Sequence, residues 1–488
     1  LTSLIISIYF TLHEHPTNAD NLTKMNSQQR ATKGVRTLLG DPKRAVIKLA
    51  IPMIVAMSVQ TIYSFVDAIW VSGLGPDALS AVGFFFPFFF MIIALSMGLG
   101  VGGAAAVSRR IGARDKTGAD SVATHAVVLT FITAVVVTLP FFFMISAIFT
   151  RMGAGRVTLL AASYARVMFL GTILIFFARV ASALLRAEGD VRRAMYAMMG
   201  GAGLNILLDP IFIYTLGLGV PGAAWASVIS MSVSSIILFY WVCIKRDTYV
   251  TIKVTNFHFA KAIIFDILRV GLPASVMQIT MAFSVFLLNL IAVRVGGTDA
   301  VAIFTTGWRV TMFASLPLLG MATAVTSVTG AAFGAHAFGK LDLGYMYAIK
   351  IGLLIELVVA SVTFIFAQQI ASLFTMSEEA IRIAHDLIVF VRTMCIYYPA
   401  AAFGILSSAM FQGIGKGIYS LTVTTVRTII LVVPLTYLFA ILLNLQLPGI
   451  WWGIVIGNTI GAALAFAWAR YTIKRLNSHD VSVTPDTH

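Results

Sequence analysis

Charge is what this sequence has least of. Of 488 residues, 11% are Asp, Glu, Lys or Arg and 59% are hydrophobic, with a mean hydropathy of +0.92. A water-soluble domain carries about a quarter charged residues, so a soluble fold is excluded. Cysteine is nearly absent. Cys243 and Cys395 both lie in apolar stretches, form neither a disulfide framework nor a metal-ligand spacing, and leave the redox compartment open. The ten-residue alternation of a membrane β-barrel is missing as well. Apolar stretches run instead for about twenty residues, which selects helices as the way to satisfy a backbone in lipid. There is no Walker A, H-E-x-x-H or G-x-S-x-G motif and no Asp-rich pair suited to Mg²⁺-diphosphate chemistry. These absences set aside a primary pump and make a membrane-embedded enzyme the weakest of the readings. No catalytic residues, cofactor or resident metal are expected.

Twelve apolar spans are centred near residues 60, 92, 133, 173, 204, 232, 281, 316, 359, 398, 432 and 460. The net charge of +14 sits in the connections between them. With the N-terminal arm placed inside, one side collects about 25 basic residues; the other holds Arg151, Arg156, Arg294 and Arg382. The positive-inside rule then puts both termini in the cytoplasm and accounts for the basic balance without nucleic acid.

The chain also repeats itself. Residues 49–79 resemble 270–301, GAAAVSRRIGARD (103–115) resembles GAAFGAHAFGKLD (330–342), ASALLRAEGD (181–190) resembles SSAMFQGIGK (407–416), and PGAAW (221–225) resembles PGIWW (448–452). The fold expected is an all-α integral membrane protein, two six-helix bundles related by a pseudo-twofold axis along the membrane normal. That is a repeat architecture of secondary transporters. The expected division is an arm at 1–44, an N-lobe at 45–244, a cytoplasmic linker at 245–266, a C-lobe at 267–473 and a cytoplasmic tail at 474–488. Within the linker region, VTNFHFAKAIIFDIL reads as an amphipathic surface helix. The sequence opens on Leu1. Residues 1–24 make a poor signal peptide and are kept out of the fold argument, Met25 being an alternative start.

Three acidic residues fall deep in the spans: Asp67, Asp209 and Glu356. Intramembrane carboxyl groups are expensive and are functional candidates by default. Gln60, Tyr63 and Asp67 share one helix face, and Pro52 lies about four turns earlier, where it removes a backbone hydrogen bond and supplies a hinge. Asn205 and Asp209 share a face of the fifth span. If the first span faces the fifth, the two carboxyl groups meet and either take up a proton or share a cation such as Na⁺. The alternatives are that Asp209-Pro210 is a cap and helix restart, and that Asp67 is solvated at the outer interface. Glu356 is expected to pair with a buried arginine, Arg309, Arg392 or Arg427. The C-lobe positions that align with the acidic cluster carry no acid, so ion coupling is expected in the N-lobe.

The six-span repeat, the Pro and Asp of the first span, the N-x-x-x-D-P of the fifth and the glycine-ended loops resemble the multidrug and toxic compound extrusion (MATE) family, in its DinF-like branch of archaea and bacteria. The resemblance covers about residues 35–475. It implies export of small organic, often cationic, compounds across the cell membrane by a monomer, in exchange for H⁺ or Na⁺. It also implies a coupling network of Asp67, Asp209, Asn205, Tyr63, Gln60, Tyr164 and, at a Thr-like position, Ser227. Pro52 would be the bending proline, and Met57, Phe86, Met198 and Met231 would line the N-lobe cavity. Met and Phe suit loose recognition of varied apolar ligands. The sequence departs from the NorM branch in lacking acids in the seventh and tenth spans. A lipid-linked oligosaccharide flippase of the same superfamily is the alternative.

Overall fold

Helices begin where the sequence can cap them. Asp41, Asp115 and Asp190 each turn a side chain onto the free N–H groups of the helix that follows, reaching Lys43, Gly118 and Arg193. Pro42 and Pro76 occupy the first helical turn, where a missing N–H does no harm. The computed structural model describes residues 32–245, 247–253, 257–376 and 381–481. The expectations for residues 1–24 and for the end of the tail lie outside these.

Span 1 is Pro42–Ser72, span 2 Pro76–Gly112, span 3 Lys116–Arg151, span 4 Gly155–Ala187, span 5 Val191–Thr215 and span 6 Gly219–Lys245. One helix, Lys261–Ala314, leaves helical geometry at Gly296 and Gly297, which divides span 7 from span 8; the latter continues through Leu316–Gly334. Span 9 is Phe338–Ile365, span 11 Gly417–Leu442 and span 12 Gln446–Ser478. Span 10 is broken: Ala384–Cys395 and Tyr398–Gly413 meet at 54° across residues 396–397, and Pro399 sits in the first turn of the second helix, where its missing N–H does no harm. The expected twelve spans are all present by length and apolar composition. Span 4 is the most enclosed, as the inner helix of its bundle.

The internal repeat reaches the backbone. Left-handed residues recur at matching places in the two halves: Gly75 with Gly297, Arg114 with His336, Gly189 with Gly415, Gly217 with Asn444 and Gly219 with Gln446. At the loop ends of spans 4 and 10, Gly189 and Gly415 have φ of 85° and 80°, a conformation that a Cβ would strain. The ion pairs recur too. Arg156 bonds Asp77 and Arg382 bonds Asp299, each at 2.7 Å, at the end of the molecule poor in basic residues. Both pairs are solvent-exposed, so they fix loop geometry more than they add stability.

The two bundles close on each other at the basic end. Span 2 packs along span 7, and span 8 packs against spans 1 and 2. Glycines make the approach possible: Gly271 sits under the carbonyl of Gly98, and Gly102 faces Ile267 and Gly271. Arg109 ties the lobes together, donating to Asp266 at 2.6 Å and to the Gly413 carbonyl at 3.3 Å.

Of residues 254–268, expected as a separate surface helix, 254–256 lie outside the described residues, 257–260 are not helical, and 261–268 are helical as the first turns of span 7; ahead of them residues 247–253 form no helix. Polar side chains of the N-lobe capture the linker's backbone instead. The N–H of Val250 donates to Glu188 at 2.8 Å, Thr251 to Asp120 at 2.7 Å, Lys253 to Thr124 at 3.2 Å and Ala260 to His125 Nε2 at 3.0 Å. A backbone held this way has no need of a helix to satisfy its donors. Burial pushes the Glu188 carboxyl, which lies outside the spans, up from 4.5 to about 8 against the opposing Val250 bond. The folded chain therefore keeps a proton that the unfolded chain releases. That contribution is complete below pH 4.5 and is lost as pH rises through about 8. Melting curves between these limits should show wild type losing stability with rising pH, and Glu188→Gln losing clearly less. Parallel curves for the two would show that Glu188 is ionised throughout.

Candidate functional site

The face of span 1 that carries Tyr63 and Asp67 packs toward span 5, and span 5 packs against span 6. The condition set by the sequence is therefore met: spans 1 and 5 pack together, and the Asp67 and Asp209 carboxyl groups lie close enough to act on each other. Asp209 is fully buried and Asn205 nearly so. Asn205 stands beside Asp209, and its Nδ2 donates to Ser227 Oγ on span 6 at 3.3 Å. The Tyr63 hydroxyl lies next to Ser227, and Tyr164 of span 4 acts electrostatically with Tyr63 and both aspartates. Tyr164 is held in place by Phe85, whose ring meets it edge-on at 5.5 Å. Gln60 is on the same side of span 1 but makes no side-chain hydrogen bond to another described residue.

Three oxygens in this cluster are buried with no donor: Asp209 Oδ1, Asp209 Oδ2 and Asn205 Oδ1. Buried polar atoms normally find partners, which makes these three exceptions. Asp209 does not cap a helix restart. The helix runs on through Pro210 into a widened turn at Ile211–Thr215. Proline has no N–H to close the ordinary turn, and such widened turns gather at functional sites. Asp67 is partly buried.

Span 1 stays helical across Pro52. Met57, Met198 and Met231 are partly buried against the core, whereas Phe86 is 52% exposed and pairs with Phe90 at 5.1 Å. One member of the neighbourhood escapes a reading by loops: Arg179 of span 4, whose charge acts on Tyr63. Its signal was an arginine within an apolar run, as telling as the aspartates.

In the C-lobe the expected ion pair of Glu356 is not made. Arg309 and Arg392 are exposed rather than buried, and Arg392 rests over the Phe364 ring at 5.3 Å. Arg427 is buried but donates to the Tyr397 hydroxyl at 3.1 Å. An arginine that stacks on a ring or bonds a phenol is already partnered and has no need of the carboxylate.

Residues 52–211 and 273–438 each match the family model described as MatE. The chain is 26% identical to the multidrug export protein MepA of Staphylococcus aureus (strain MSSA476), covering 86% of this chain and 92% of that protein. It superposes with a TM-score of 0.90 on the crystal structure of a MATE in complex with MaL6, 51% identical, over 92% of this chain and 100% of the other. It is also 51% identical, with a TM-score of 0.89, to a MOP-superfamily transporter from Pyrococcus furiosus Vc1 (DSM3638), covering 92% of this chain and 99% of that one. That transporter is described as having a binding pocket of reversed polarity that suggests a different function.

Proposed function

The chain belongs to the multidrug and toxic compound extrusion (MATE) family of membrane transporters, and on that premise we propose that it is an antiporter exporting small organic, mainly cationic, compounds in exchange for H⁺ or Na⁺. A transporter of this family is not an enzyme and takes no cofactor. The coupling ion is substrate. The observation that carries the proposal is the pair Asp67 and Asp209, with both Asp209 oxygens and the neighbouring Asn205 Oδ1 buried and without a donor. Two carboxyl groups this close in low dielectric do not both stay ionised without a counter-ion. A proton would make one carboxyl a donor to the other. A Na⁺ would instead take oxygens from Asp67, Asp209 and Asn205.

In our reading the basic end faces the cytoplasm, both termini with it, and the described conformation opens to the outside. An ion entering from outside neutralises the pair and reduces its hydration. Span 1 then rearranges about Pro52, and the cavity lined by Met57, Phe86, Met198 and Met231 releases its ligand. The lobes rock and the ion leaves on the cytoplasmic side. The chain acts as a monomer, with the arm, linker and tail on the cytoplasmic side.

The test is export of a fluorescent organic cation from proteoliposomes under a pH gradient or a Na⁺ gradient imposed separately. Export under the pH gradient alone makes the pair a protonation switch; export under Na⁺ alone makes it a cation site. Folded protein that exports under neither favours the second reading, flipping of a lipid-linked oligosaccharide. The buried Arg427 and the polarity described for the Pyrococcus furiosus relative support that reading.

A further inference from the structure

Glu356 is left without a role by the N-lobe site. It lies inside span 9, nearer its Ile365 end, with zero exposure, and both carboxyl oxygens lack a hydrogen-bond partner. Spans 9 and 10 pack together, and on span 10 Tyr398, near enough to feel a charge on Glu356, is also fully buried with a hydroxyl that lacks a hydrogen-bond partner. Tyr398 in turn neighbours Cys395, Tyr397 and Thr311 of span 8. From spans 1, 8 and 12, which also pack on span 9, no charged side chain among the described residues acts on Glu356.

A carboxylate in this position would be a bare charge in an apolar surround, at several kcal/mol or more. In the described conformation the group is therefore the neutral acid, with its proton on the carboxyl. A neutral acid placed only to hold helices together would donate its O–H and be satisfied, and an apolar residue of similar length would pack as well at less expense. The surroundings also offer a way for the proton to leave. The break in span 10 falls at residues 396–397, next to Tyr398. A shallow cleft on the flank of the lobe is lined by Ala360, Ser361, Phe364, Arg392 and Cys395, and Ala360 stands one helical turn from Glu356 along span 9. Moving the two halves of span 10 about their break would join the cleft to the carboxyl and separate them again.

We propose that Glu356 is a proton-binding site of the C-lobe, a second site separate from the Asp67–Asp209 pair, loaded in the described conformation and emptied to water when span 10 moves. The inference rests on the antiport reading only for its place in the cycle, since protonation of Glu356 can be measured without transport.

The experiment is infrared difference spectroscopy on the purified full chain in lipid, with H/D exchange and a titration of pH with and without a transported organic cation. The carbonyl stretch of un-ionised carboxylic acids should contain a component that is lost in Glu356→Gln and kept in Asp67→Asn/Asp209→Asn. Its amplitude should fall when the cation is added. Glu356→Met, apolar and of similar length, gives the same answer if the glutamine variant does not fold. In vesicles, the H⁺ to substrate ratio of Glu356→Gln should fall by a whole proton. A spectrum unchanged by Glu356→Gln would mean the group is ionised. A component that is lost but does not respond to pH or cation would make it a permanent structural acid. Either result overturns the proposal, and neither bears on whether the N-lobe pair couples transport.

Discussion

Asp67→Asn should fold, reach the membrane in normal amount and lower ion-driven export about a hundredfold, the upper end of a coupling free energy of ~1–3 kcal/mol. The substitution keeps the shape of the side chain and removes its ability to change charge. The helix of span 1 has no stake in the carboxyl, since Asp67 makes no cap and no ion pair among the described residues. What disappears is the mutual repulsion with Asp209 that an incoming ion relieves. Substrate binding should survive, because a neutral cluster resembles the ion-loaded one. Asp209→Asn should lose a similar amount, and the double variant should be little worse than either single, since two groups that act as one pair are not additive. The measurement is initial export rate against imposed gradient in vesicles with matched protein content. Undiminished gradient-driven export by Asp67→Asn would remove the pair from the mechanism.

Much of this was legible before any coordinates. Lipid excludes so many backbone conformations that length and composition alone delimit the spans. The repeat was visible because both halves need the same turns: the glycine after span 4 and the one after span 10 meet the same backbone demand at Gly189 and Gly415. Helical spacing and the expense of a carboxyl in lipid singled out Asp67 and Asp209, but that spans 1 and 5 face each other was a condition the sequence left open. The same expense misled for Glu356. It says that a buried carboxyl must be neutralised, but does not say whether an arginine or a proton does it. Arg392 and Arg427 were drawn away by Phe364 and Tyr397, contacts that no spacing rule reveals. The linker failed for a related reason. The apolar periodicity of 254–268 is used from Lys261 onward as the start of span 7, while His125 holds the Ala260 N–H and Glu188, Asp120 and Thr124 hold the backbone of Val250, Thr251 and Lys253 just ahead of it. Arg179 was missed because basic residues were counted by loop rather than by depth.

The second large effect is expected at Gly102, far from any carboxyl. It lies inside the span 2 helix, where alanine should stabilise the helix by about 1 kcal/mol. A methyl group there would run into the backbone of span 7, at the Ile267 carbonyl and within 2.9 Å of the Gly271 nitrogen. Backbone cannot rotate away as a side-chain tip can, so the lobes must separate or strain by roughly 1–3 kcal/mol. Gly112 faces the Ala331 backbone in the same way, and Gly112→Ala adds a second wedge at the same interface. The two effects have opposite signs, which makes the double variant informative. Each bundle should be at least as stable as before, while the closed basic end becomes less favourable than the open one. Roughly 3 kcal/mol in total would move the ratio of the two conformations about a hundredfold. Spin labels, one per lobe at the basic end, should report longer distances in Gly102→Ala/Gly112→Ala, and export should fall with substrate binding retained. Losing the Arg109–Asp266 bond by Arg109→Ala should push in the same direction by less, since that arginine is replaced by nothing that blocks closure. Unchanged distances with a higher melting temperature would mean that the lobes absorb the methyl groups, and that the glycines serve the helices and not the closing of the basic end.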